Sequence, residues 1–191
     1  MSAASSSARQ RILDVAADLF YHQGIRAIGV DTIVEQSGVG KATLYRHFPT
    51  KDDLIAAYLN EKEQAYWQQY DEALQQHEGS PREQLLAFVD TVVARMMEPG
   101  YRGCTFLNAL AEFSDQEHAA HRLAVAQKQA LRERLLQLSQ QAGARDPEQL
   151  SDQLVLLING ALASVPIFGA TGPTLQLKPV ATRLVDQQLQ A

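Results

Sequence analysis

The sequence predicts an all-α protein of about nine helices, with a short three-helix N-terminal part followed by a longer helical part. Two observations carry this. Apolar residues recur at spacings of three and four along one segment after another, which is the period of a helix face. Gly and Pro punctuate the segments, at Gly38-Val39-Gly40, Pro49, Gly79-Ser80-Pro81, Pro99-Gly100 and Gly172-Pro173. At 191 residues the chain is long enough to bury a real core.

The first helix is expected over Arg9 to about Gln23, where Ile12, Val15, Ala16, Leu19 and Phe20 share one face and Gly24 stops it. A second runs from about Val30 to Ser37 and buries Ile33 and Val34. Its N-cap position falls on Gly29, which has no side-chain oxygen to offer the free backbone N–H groups. The third helix lies within Ser37-Gly38-Val39-Gly40-Lys41-Ala42-Thr43-Leu44-Tyr45-Arg46-His47-Phe48-Pro49-Thr50-Lys51. Val39, Leu44 and Phe48 can anchor it, while Lys41, Thr43, Tyr45, Arg46 and His47 point outward and Ala42 leaves the backbone approachable. Cations, hydroxyls and an imidazole on one short helix after a tight glycine turn suit contact with phosphates and base edges in a helix-turn-helix layout.

Here the sequence resembles the bacterial regulators named after the tetracycline repressor, the TetR family. Between about Arg9 and Leu54 the residues Gly24, Ile33, Gly38, Val39, Lys41, Thr43, Leu44, Tyr45, Phe48, Lys51 and Leu54 fall where the family pattern wants them. Beyond Leu54 the resemblance rests on length, helical character and Arg102-Gly103-Cys104 followed by Asn108, Glu112 and Phe113. It implies a helix-turn-helix DNA-binding domain over residues 1–51 and a helical effector-binding and dimerisation domain over 52–191. By resemblance, Lys41, Ala42 and Thr43 are base readers and Tyr45, His47 and Lys51 backbone contacts, with Arg46 on the same DNA-facing helix. Arg9 and Arg11 sit where the family often lays its first helix along DNA, and an ordinary solvated role fits them equally.

Pro49 prevents the third helix from continuing, and Thr50 with Asp53 forms a capping-box start for a long fourth helix reaching about His77. Lys51 in its first turn is placed to meet a phosphate. A fifth helix follows Pro81 and turns Leu85, Phe88, Val89, Val92, Val93 and Met96 inward. Cys104 to Ser114, almost wholly apolar, reads as a buried sixth helix. Gln116 to Ala142 reads as a seventh, with Leu123, Ala130, Leu131, Leu135 and Leu138 inward.

Asp146-Pro147-Glu148 opens an eighth helix, closed by Pro166 and Gly169, and the last carries Leu177, Val180, Leu184 and Leu189. The stripe Leu150, Leu154, Leu157, Ala161 and Val165, together with Leu177, Val180 and Leu184, is expected to pair two copies of the chain, because both helices are more apolar than one chain needs. A homodimer on a palindromic double-stranded operator follows, since one such motif reads too few base pairs for specificity.

An effector pocket among the middle helices draws on Trp67, Tyr70, Phe88, Met96, Phe106, Asn108, Glu112, Phe113 and Phe168, which suits a small apolar or aromatic molecule. The expected function is a ligand-responsive transcriptional repressor, not an enzyme, with no cofactor and no metal. Two alternatives stay open. One is DNA-binding control without an effector; the other is a helical metal-binding protein or enzyme using His118, His121 and Glu112.

The net charge of −5 argues against nucleic acid only if taken whole. Residues 1–51 carry six Lys/Arg against four Asp/Glu, a net +2, and residues 52–191 carry −7. Local charge is what counts for counterion release. The single cysteine, Cys104, excludes an internal disulfide. No apolar run of membrane-spanning length and a Ser/Ala-rich start, Met1 to Ala8, predict a cytoplasmic protein with a frayed N-terminal tail and no membrane partner.

Overall fold

In a computed structural model of the chain, residues 7–169 and 171–189 are described, and the regular structure among them is helical, with no strand. Most of the stretch expected to be a frayed tail lies outside them. In chain order the helices are α1 (Ala8–Gln23), α2 (Val30–Ser37), α3 (Lys41–His47), α4 (Lys51–Gln75), α5 (Pro81–Met96), α6 (Thr105–Glu112), α7 (Ala119–Gln141), α8 (Pro147–Phe168) and α9 (Leu177–Leu189). A 3₁₀ turn, Gly172–Gln176, precedes α9.

The chain packs as two compact units, Met1–Glu63 with Thr105–Val125, and Gln64–Cys104 with Ala126–Ala191. In the first, α1, α2 and α3 pack on one another. Ile12, Leu13, Ala16, Leu19 and Phe20 of α1, Ile33 of α2 and Leu44 of α3 are buried together with Val39 and Phe48. Truncating a side chain as buried as Leu44 would cost about 2 to 5 kcal/mol. Val34, expected inside, is only half-buried.

Local signals set the boundaries. Ser7 caps α1 by accepting from the Gln10 N–H at 3.2 Å. Thr50 and Asp53 cap α4 reciprocally, with the Thr50 N–H donating to Asp53 at 2.9 Å and the Asp53 N–H to the Thr50 hydroxyl at 3.1 Å. Asp146 caps α8 through the Gln149 N–H at 2.9 Å. Gly29, at the N-cap of α2, makes no side-chain cap.

In the second unit α5, α8 and α9 pack together, and Arg82 of α5 reaches Asp186 of α9 at 2.6 Å. Several sequence expectations change here. Pro166 does not close α8; the helix runs through it to Phe168 and ends at Gly169, whose N–H donates to the Val165 carbonyl. A proline removes one hydrogen bond near a helix end, which the remaining turn can tolerate. On α7 the buried positions are Leu131, Leu135 and Leu138 with Ala120, Ala124, Gln127 and Ser139, while Leu123 and Ala130 are half-buried.

The stripe expected to pair two chains divides: part of it turns into its own unit, while Leu157, Val180 and Leu184 are only half-buried and Leu157, Ala161, Leu177 and Leu184 line an outward groove. Leu150, Leu154, Ala161, Val165 and Leu177 are buried by the same chain. What remains outward is a second apolar face. Leu156 is 77% exposed and Ile167 72%, and Gln153, Leu156, Leu157, Gly160 and Ser164 line a groove of about 530 Å³ with Pro173 and Leu184. Being apolar on two faces also makes Pro147–Phe168 long and apolar enough to cross a membrane by length and composition, contrary to the sequence reading.

The uncapped Gly29 gives a test. Its φ of −83° and ψ of 158° suit any residue, and an added Cβ would meet nothing within 4 Å. Gly29→Ser should therefore raise stability by a few tenths to about 1 kcal/mol, read as a higher Tm; a lower Tm would remove this residue from the cap.

Candidate nucleic-acid interface

The turn between α2 and α3 is built by Gly38, whose φ of 63° lies in the left-handed region that side chains avoid. Ser37 supports it: its hydroxyl donates to the Val34 carbonyl at 3.3 Å and accepts from the Val39 N–H at 3.4 Å. At the far end of α3 the Phe48 N–H returns to the Leu44 carbonyl at 2.8 Å, and its buried ring pins the helix down.

Because Leu44 and Phe48 lie four residues apart and both face inward, the opposite side of α3 faces solvent. Lys41 and Tyr45 form one exposed pair a turn apart, and Ala42 and Arg46 the next. Thr43 and His47 lie between these pairs and the core, half-buried. Six of the seven expected DNA-contact residues thus share one short helix.

Lys41 does not project freely. Its ammonium lies 2.6 Å from a carboxylate oxygen of Asp31, in the first turn of α2, and that hydrogen bond holds its pKa above the ordinary lysine value. Both side chains are well exposed, so the pair contributes little to folding. It does hold the cation at the end of α3 where the turn enters.

Lys51, the seventh, is placed differently. Its ammonium is partly buried, donates to the Ile25 carbonyl at 2.7 Å and lies 5.8 Å from the Phe20 ring centre. Burial lowers its pKa, with Glu112 acting in the opposite sense. The same peptide corner is held from its other side by α6. The Ile25 N–H donates to one carboxylate oxygen of Glu112 at 3.0 Å, the Arg26 N–H to the other at 2.7 Å, and the Arg26 guanidinium to the Glu112 carbonyl at 3.2 Å. Gly24, with φ 96°, makes that corner possible. Among the α1 arginines, Arg9 lies over the Phe48 ring at 5.1 Å.

The expected pocket residues divide. Glu112 braces the α1–α2 corner, and Asn108 is exposed on α6. Phe106 and Phe113 are buried in the first unit, with His118 stacked on Phe113 at 4.3 Å. His118 accepts from the Ala120 N–H, and His121 lies 2.7 Å from the Phe113 carbonyl, so both histidines have structural partners. In the second unit Tyr70, Phe88 and Met96 are buried, Trp67 lies beside them, and Phe168 is half exposed. Cys104 is buried, with the Lys128 ammonium 3.4 Å from its sulfur.

Two residues that sequence reasoning passed over stand out. Tyr66 is buried against Tyr70, and Gln127 has no exposed surface. Gln127 was legible in principle, as the polar member of the α7 inward stripe, but the many glutamines around it hid that position.

A family model described as "Bacterial regulatory proteins, tetR family" matches residues 12–58, and one described as "Tetracyclin repressor-like, C-terminal domain" matches 81–176. A TetR-family transcriptional regulator from Streptomyces coelicolor is 33% identical, with 96% of each chain covered and a TM-score of 0.91. A putative TetR-type regulator from Streptomyces avermitilis is 34% identical over 96% of this chain and 98% of that one, with a TM-score of 0.83. An HTH-type transcriptional regulator from Staphylococcus aureus is 46% identical over 46 residues, 24% of this chain. The match spans about a quarter of that curated relative's length.

The brace on the α1–α2 corner predicts that Glu112→Ala, which strips two backbone N–H groups of their acceptor, destabilises the fold by about 1 to 3 kcal/mol. Amide hydrogen exchange at Ile25 and Arg26 should accelerate with it; unchanged exchange there would show that the carboxylate does not hold the corner.

Proposed function

The chain belongs to the tetR family of bacterial regulatory proteins, and on that footing we propose that it is a ligand-responsive repressor that binds a palindromic operator as a homodimer and is released by a small apolar or aromatic effector. It is a helix-turn-helix transcriptional regulator. In the proposed division residues 1–51 read DNA, and residues 52–191 bind the effector and dimerise. The protein acts in the cytoplasm, where its DNA is.

The observation that carries the DNA reading is the solvent face of α3, with Lys41, Ala42, Tyr45 and Arg46 exposed opposite buried Leu44 and Phe48. In this reading Lys41, Ala42 and Thr43 meet base edges and Tyr45, Arg46 and His47 meet phosphates. Lys51 is a positioning residue that holds the Ile25 corner, and its contribution to DNA binding comes through that corner. Asp31 competes with the base edges for Lys41, so in this reading the exposed ion pair opens when DNA arrives.

Pairing is assigned to the outward face of α8 and α9: Leu156, Leu157, Gly160, Ser164, Val180 and Leu184. A groove with several exposed apolar side chains is unfavourable in water, and a two-fold copy of the same face covers it. Two copies set two recognition helices roughly 34 to 36 Å apart, or a multiple of it. An effector with different affinities for two spacings then weakens operator binding by its differential affinity, typically about 1 to 3 kcal/mol.

Selection of bound duplexes from a random pool should return a palindrome, whereas recovery of no preferred duplex would overturn the operator reading. Against the selected duplex, Tyr45→Phe should weaken all sequences alike, Thr43→Ala should change the base preference, and Asp31→Asn should tighten binding while steepening its salt dependence. Leu156→Glu should give monomers in sedimentation at concentrations where the parent is dimeric. A dimer that survives would place the pairing surface elsewhere.

A further inference from the structure

The second unit encloses a polar side chain whose polar atoms make no hydrogen bond. Gln127 lies on the inward stripe of α7 between Ala124 and Leu131 and is 0% exposed. Neither its amide nitrogen nor its carbonyl oxygen has a hydrogen-bond partner. The buried serine and threonine side chains of this unit behave differently: Ser139, Ser151 and Thr174 each donate to a nearby backbone carbonyl. An amide buried without partners loses its hydration and gains nothing in return. A leucine would fill the same position in the stripe at no such cost.

Gln127 neighbours an aromatic cluster through Tyr66. Its amide lies near enough to the Tyr66 hydroxyl to ease that phenol's ionisation, although the two do not meet as a hydrogen bond. Tyr66 and Tyr70 lie 4.5 Å apart between ring centres, and Tyr70 stacks on Phe88 at 3.9 Å and 21°. The Arg95 guanidinium lies 5.3 Å from the Tyr66 ring. Burial pushes the Tyr66 phenol up to about 12 and raises Tyr70 well above its usual value, so both stay neutral.

We propose that Gln127, with the rings of Tyr66, Tyr70 and Phe88, forms the effector site, and that it takes an uncharged, flat aromatic molecule bearing a hydrogen-bond donor and acceptor side by side, such as a lactam or carboxamide. The amide offers one donor group and one acceptor, which is the complement of that pair. The rings select for flatness through stacking. Neutrality follows from the site itself, because a charge brought among un-ionised phenols and apolar side chains would be desolvated without a counter-ion. This inference rests on reading the chain as effector-responsive.

The test uses the full chain and three flat probes. These are 2-quinolone, which has donor and acceptor adjacent, quinoline, which has the acceptor alone, and naphthalene, which has neither. Thermal shift and calorimetry should rank them in that order on the parent protein. Gln127→Leu should fold with an unchanged or higher Tm, and it should bind 2-quinolone about tenfold more weakly, the ratio expected when neutral hydrogen bonds are lost. Gln127→Met serves the same comparison should the leucine variant fail to fold.

Equal binding of the three probes by the parent, or a lactam preference that survives in both variants, overturns the proposal. So does a lower Tm in the variants without any lactam preference in the parent, which marks a site filled by fixed water. Operator release is measured separately by gel shift. Binding of 2-quinolone through Gln127 that leaves DNA affinity unchanged supports the site and overturns the effector-responsive reading. Release by 2-quinolone that persists in Gln127→Leu overturns the site and leaves that reading standing.

Discussion

The burial of Leu44 and Phe48 is the constraint on which the proposed DNA-reading surface depends. A seven-residue helix cannot hold itself together in water. α3 exists because its inner side chains fill a core that α1 and α2 have already begun, with Leu44 at 0% exposure and Phe48 at 2%. Those two contacts fix the rotation of α3 about its own axis. Once that rotation is set, Lys41, Ala42, Tyr45 and Arg46 have one direction available to them, and it is outward. The glycine turn before α3 and Pro49 after it limit its length, so no further residue can extend or tilt the face.

Around that core the electrostatics serve position more than stability. The exposed Lys41–Asp31 pair adds little to folding, yet it keeps a cation at the entrance to α3. Glu112 and Lys51 act on the peptide corner that joins α1 to α2, one taking the N–H groups of Ile25 and Arg26, the other donating to the Ile25 carbonyl. The donors and acceptor of this corner are thus satisfied by side chains from α6 and α4, which tie both helices to the loop before α2. α4 and α7 each contribute to both compact units.

The first three helices were legible in the sequence because glycine or proline follows each of them closely and their apolar positions recur at helical spacing, with Val34 read too far inward. The Thr50–Asp53 cap could be read as well, since both partners lie within one turn. Legibility failed where a side chain's partner is distant in sequence or where a helix has two apolar faces. Glu112 reads as a polar intruder on an apolar helix until its partners, 86 and 87 residues away, are in place. α8 carries leucines on both sides. Periodicity identified a stripe through Leu150 and Leu154 but could not say which members its own chain covers; the chain buries Leu150, Leu154, Ala161, Val165 and Leu177 and leaves Leu157, Val180 and Leu184 half-buried.

The central claim is that the exposed side of α3 enters a DNA groove twice, in two copies related by a two-fold axis. Hydroxyl-radical footprinting with chemical interference, on a duplex recovered by selection, tests it most directly. Two protected patches on one side of the duplex are expected, related by a dyad and separated by roughly 34 to 36 Å or a multiple of it, with interference at major-groove positions. A single patch, or uniform protection without groove interference, would contradict it.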